Sequence, residues 1–176
     1  GAAGMLGAFF TNIEMYNTSI LPPFLAMYEY TKKDEDSSDY KLYKESLVAM
    51  RQSIEMLSSI NPGIYRCSMQ AYSARITLAL RDRPFAKTLE KVEKALAYAI
   101  ELDCLPIDVI VLKCEIARWK GDVNMLSEAI TQFEQMGYKY QSVPQNVILA
   151  KLKSGELTSV DLSFVPAKPV EEVVEL

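Results

Sequence analysis

Histidine is absent from the 176 residues. That removes the commonest general base near neutral pH and the commonest transition-metal ligand. The three cysteines, Cys67, Cys104 and Cys114, are an odd number without Cys-x-x-Cys spacing, so neither a zinc site nor a disulfide framework is written here. Thiols scattered on helices read as those of a reducing, intracellular compartment. No apolar run approaches the roughly 20 residues that span a bilayer; Ile20 to Met27 is interrupted by Pro22 and Pro23. Gly1 to Phe10 lacks the basic flank of a signal peptide, which leaves open whether Gly1 is an added, native or processed end. No dense Lys/Arg block occurs, and the net charge is −4, which argues against a nucleic-acid groove.

Only seven glycines and eight prolines are present, and most fall where a helix would start or stop. Apolar side chains recur at helical spacing along most of the chain. The clearest stretch is Pro106 to Gly137. Pro106 suits a first helical turn, and Ile107, Ile110, Val111, Cys114 and Ala117 form one stripe. Gly121 stops that helix and Asp122 caps the next, whose stripe is Leu126, Ala129, Ile130, Phe133 and Met136. Two amphipathic helices joined by so short a turn pack antiparallel, and they need neighbours to cover their remaining faces.

The rest divides as follows. Residues 1–31 carry only Glu14 and Glu29 as charged side chains and read as two apolar helices, one to about Ser19 and one from Pro22 or Pro23 to Thr31, forming a candidate docking segment. Residues 32–39 are an acidic loop in which Asp39 is the expected cap of the third helix. Residues 40–164 form an array of hairpins. Their stripes are Tyr43, Leu47, Met50, Ile54 and Leu57; Tyr65, Met69, Tyr72, Ile76 and Leu80; Leu89, Val92, Leu96, Ala99 and Ile100; and Val147, Ile148 and Leu152. Lys87, Glu90, Lys91, Glu93 and Lys94 read as a solvated outer face. Tyr138 and Tyr140 read as loop tyrosines that pack, and a last turn is expected from Thr158 or Ser159. Residues 165–176, with two prolines, read as an extended tail.

The expected fold is therefore all-α: about seven helices in a right-handed array of antiparallel hairpins, a tetratricopeptide-like superhelix, plus the tail. The run Ala74-Arg75-x-Thr77-Leu78, then Arg83-Pro84, then Asp103-x-Leu105-Pro106, Ala117-Arg118 and Ala129-Ile130-x-x-Phe133-Glu134 resembles the cytochrome c oxidase subunit Va family, called subunit 6 in fungi. The resemblance covers Ala74 to Leu162. It implies a superhelical accessory subunit on the matrix side of the mitochondrial inner membrane that holds no haem or copper. Phe133-Glu134-Gln135-Met136-Gly137 also resembles the closing helix of tetratricopeptide arrays in signalling ATPases and cyclases.

No catalytic, cofactor or metal residue is expected. Glu115 beside Lys113 and Arg118 offers the nearest acid/base grouping, and such charges on helix faces are ordinarily solvated or paired. The expected function is a non-catalytic structural or interaction subunit whose partners are other protein chains. Candidate partner-binding residues are the aromatics Phe9, Phe10, Tyr16, Phe24 and Tyr28 on the apolar segment. The cations Arg75, Lys113 and Arg118 are added as a possible clamp for a peptide carboxylate. A pentatricopeptide-like RNA reader, one base per hairpin, is the lesser alternative. Asn17-Thr18-Ser19 fits a glycosylation acceptor without a secretory route to use it.

Overall fold

The computed structural model describes residues 12–59, 66–101, 106–160, 162–163 and 165–166. Seven α-helices follow one another with no strand among these residues: α1 Leu21–Thr31, α2 Ser38–Ser59, α3 Arg66–Leu80, α4 Phe85–Glu101, α5 Pro106–Lys120, α6 Val123–Gln135 and α7 Val143–Ser154. Each packs on its chain neighbour. In addition α1 touches α3, α3 touches α5, and α5 touches α7. The odd-numbered helices therefore form a contiguous row, with α2, α4 and α6 laid against it.

This row explains why α3 and α5 are buried nearly all round. On α3 one stripe, Met69, Tyr72, Ile76 and Ala79, joins a core with Leu21, Tyr28, Leu47 and Ile54. The opposite stripe, Cys67, Ala71, Ala74 and Leu78, joins a second core with Leu89, Val92, Leu112, Leu126 and Phe133. Periodicity exposes the first stripe only, because three of the four residues of the second, Cys67, Ala71 and Ala74, are small and mark no apolar face. A helix apolar on every side belongs in the middle of a stack.

The α5–α6 hairpin forms as its punctuation dictates. Gly121 sits at φ 69°, the Asp122 amide donates to the Ala117 carbonyl at 2.9 Å, and the Asp122 carboxylate accepts from the Met125 amide at 3.0 Å. Gly137, at φ 90°, closes α6 in the same way, with the Tyr138 amide donating to the Phe133 carbonyl at 3.1 Å. Both are Schellman ends, which satisfy carbonyls the helix leaves orphaned.

Several expectations are corrected. Ser37, not Asp39, caps α2, its hydroxyl accepting from the Tyr40 amide at 3.2 Å. Ile100, Met136, Tyr140 and Val147 face solvent rather than core. No helical turn starts at Thr158 or Ser159; the Val160 amide instead donates to the Trp119 carbonyl at 2.8 Å.

The two helices expected before Thr31 are one continuous run: residues 12–15 are α-helical, Tyr16–Ile20 widen into a π turn, and α1 follows without a break. The cause lies in the sequence. The Leu21 amide bonds to the Tyr16 carbonyl, five residues back, and Pro22 and Pro23 have no N–H to offer the carbonyls of the turn before them. The Asn17 carbonyl is thus released from the helix and free to accept elsewhere.

Candidate interaction site

The acceptor freed at Asn17 is taken by Arg75, whose Nη1 donates to the Asn17 carbonyl at 2.6 Å and lies 3.2 Å from its side-chain oxygen. The Asn17 amide group donates in turn to the Ser68 carbonyl at 3.0 Å. On its other side Arg75 is paired with Glu115 of α5, Nε to Oε2 at 3.2 Å, close enough for charge attraction but without hydrogen-bond alignment. Glu115 also accepts from the Trp119 indole N–H at 2.6 Å. All four side chains are buried, so the network ties the π turn, α3 and α5 together in a low-dielectric setting where each polar group requires a partner.

The segment 12–20 reaches further. Glu14 accepts a hydrogen bond from the Tyr138 hydroxyl, 124 residues away in the loop after α6. This bond, with burial and the Glu14 charge added, pushes the Tyr138 hydroxyl up to about 12. The segment therefore crosses the α3–α5 row and closes on the far loop. Asp108 lies in the same region, buried, with Oδ2 unpartnered. Burial raises its carboxyl above the usual range, a hydrogen bond with Ser68 opposes that rise, and the Glu14 charge adds to it.

The candidate partner-binding residues fare differently. Tyr28 is buried and stacks on Tyr40 with centroids 5.7 Å apart. Phe24 sits edge-on to Tyr43 at 4.9 Å, and half-buried Tyr16 packs against the same core. Phe9 and Phe10 lie outside the described residues. Tyr28 is thus internal packing, because α2 and α3 cover one side of α1, while Met27 and Tyr30 on its other side stay exposed.

Arg75 is closed off from any groove by the network above. Lys113 is half-buried. Arg118 lies over the Trp119 ring, 4.3 Å to the centroid, and its Nη1 donates to the Thr158 carbonyl at 3.3 Å; burial lowers its pKa. Arg75 and Arg118 thus have partners inside the chain. Asn17, buried and bonded on both ends of its side chain, is no accessible glycosylation acceptor in the folded chain.

Exposed apolar side chains lie at both ends of the row: Ile20, Met27 and Tyr30 before and on α1, and a group before and on α7. Tyr140, one turn before α7, is 89% exposed, and Val143 and Val147 on α7 are 55% and 49% exposed. Val143 and Val147, four residues apart on α7, share one face, with Tyr140 in the turn before it, while Ile148, Leu149 and Leu152 pack against the core that α5 and α6 build. Among the described residues no helix is long and apolar enough to cross a membrane, and no three acidic or cysteine side chains gather as a metal site.

These features define a class: among the described residues, an all-helical protein of sequentially packed helices, with a buried ion pair between α3 and α5 and apolar side chains exposed on α7. No family model matches the chain, and no curated protein or solved structure matches it.

Proposed function

We propose that this chain is a non-catalytic interaction subunit, a right-handed tetratricopeptide-like array of hairpins whose terminal helix receives an amphipathic helix from another chain of a multiprotein complex. The observation that carries this reading is the exposed pair Val143 and Val147 on one face of α7, with exposed Tyr140 in the turn before it, where a further helix would continue the packing that α3 gives α5 and α5 gives α7.

Magnitudes define the kind of contact. Burying each of these side chains is worth about 1.5–3 kcal/mol at most, and association costs several kcal/mol. The patch alone supports a weak contact, and it becomes stable as one part of a larger assembly. The peptide-clamp reading loses its central residue, because Arg75 is engaged by Glu115 and Asn17.

The test is affinity isolation of the chain and of a Val143→Glu/Val147→Glu variant, with mass spectrometry of what each retains after a salt wash. A specific partner held by the native chain and lost by an equally folded variant supports the reading; partners retained equally by both would overturn it. Retention of respiratory-oxidase subunits would assign the chain to that complex, and retention of signalling ATPases or cyclases would place it among their scaffolds.

A further inference from the structure

The two ends of the odd-numbered row expose faces that match each other. On α1 the outward residues are Pro23, Met27 and Tyr30, four and three apart, with exposed Ile20 just before them. On α7 they are Val143, Val147 and Ala150, at the same four-three interval. Residues so spaced lie along one side of a helix. Met27 and Tyr30 are 44% and 63% exposed, and no charged residue interrupts either set. The α1 face carries long side chains and the α7 face short ones, a pairing that lets two helices approach closely.

The direction of the row is also fixed. Asn17, before α1, bonds to Ser68 near the start of α3, and Lys32, after α1, bonds to Ala79 near its end. Ser68 meets Asp108 in the first turn of α5, and Arg75 meets Glu115 two turns on. At the end of α5, Arg118 and the Trp119 carbonyl bind Thr158 and Val160, just past the end of α7. The odd-numbered helices therefore run the same way, and a helix added outside α7 continues the row if it runs that way too.

We infer that the chain associates with itself head to tail, α1 of one copy lying parallel on α7 of the next. This rests on the reading of α7 as an open face and names its occupant. With Met27 opposite Val147, Pro23 meets Val143 and Tyr30 meets Ala150, long side chain against short. Charge agrees with this register: the one charge of α1 is Glu29, and those of α7 are Lys151 and Lys153 near its end. Glu29 touches Lys32 of its own chain at 3.3 Å on the surface, and a carboxylate accepts from more than one cation. The two faces differ, so the contact has no two-fold axis and each copy keeps one free end. Helices of 11 and 12 residues are about 17 Å long. One such pair is smaller than the roughly 1,200–2,000 Å² of a stable interface, which makes the association weak and dependent on concentration.

The experiment is sedimentation velocity of the full chain from about 10 μM to about 1 mM. It is repeated on Met27→Glu/Tyr30→Glu, on Val143→Glu/Val147→Glu and on their equimolar mixture, with circular dichroism as the check on folding. Tyr30→Glu or Val143→Glu alone replaces a double variant that fails to fold. The native chain is expected to grow beyond a dimer as concentration rises, and each variant alone to stay monomeric. The mixture is expected to form one-to-one dimers and nothing larger, because each variant keeps one intact face. A native chain monomeric throughout, a variant that still dimerises alone, or a mixture that stays monomeric would overturn the inference. A monomeric native chain that nevertheless loses a foreign partner through Val143→Glu/Val147→Glu overturns self-association and leaves the open face of α7 standing.

Discussion

Arg75 on α3 and Glu115 on α5 stand 3.2 Å apart inside the protein, the arginine also holding the Asn17 carbonyl and the glutamate also holding the Trp119 indole. Three elements distant in sequence meet at this pair. Removing one partner leaves the other charge buried and uncompensated.

Arg75→Met and Glu115→Leu are each expected to destabilise the chain by about 3–5 kcal/mol, the cost of breaking a buried pair from one side. Arg75→Met/Glu115→Leu is expected to recover part of that loss, because no unpaired charge remains. Urea unfolding of the four proteins gives the cycle; strict additivity of the two losses would contradict the coupling.

Asp108 provides the pH dependence. Its folded-state pKa lies above the ordinary value, chiefly through burial. The folded chain therefore binds this proton more tightly than the unfolded chain does. Its contribution is full below the unfolded value, near pH 4, and is lost as pH rises through the folded value. Asp108→Asn, which keeps an acceptor for Ser68 without the charge, is expected to gain about 1–3 kcal/mol at pH 7 and nothing at pH 3. Thermal melts of both proteins across that range measure the difference, and a constant offset would contradict it.

Two glycines separate backbone strain from crowding. Gly137→Ala meets open space and pays only for its φ of 90°, about 1 kcal/mol. Gly121→Ala adds to a φ of 69° a Cβ 3.2 Å from that of Ser159, so it is expected to cost more and to loosen the strand of chain that Val160 ties to Trp119. Equal melting temperatures for the two variants would show that the Ser159 segment yields freely.

Cys67 and Cys114 are buried thiols outside any disulfide, and burial pushes the Cys114 thiol up to about 12. Since the thiolate is the reactive form, both are expected to resist iodoacetamide in the native protein at pH 8 and to react on unfolding in urea. Peptide mapping after timed alkylation checks this, and rapid native labelling at either position would contradict it.

The α5–α6 hairpin was readable residue by residue because every signal in it is local: Pro106 at the first turn, the Asp122 cap, and the two glycines with positive φ. The Asp122 and Gly137 ends depend on groups within five residues of each other. Val147 departs from the inward stripe of α7 because a helix with one covered side carries a weak pattern, and its exposed valines imitate a core face. Tyr28 departs in the other direction, buried rather than surface, because Tyr40, which covers it, lies on a helix that begins beyond the acidic loop.

Helix content, the hairpin punctuation and the lack of histidine chemistry belong to the chain as written, since propensity, capping and composition act over a few residues. The pairing of Arg75 with Glu115 and the bond from Tyr138 back to Glu14 belong to the packed molecule. Each joins residues on different elements, and a charge shows the same letter in the sequence whether packing leaves it in water or buries it against a partner.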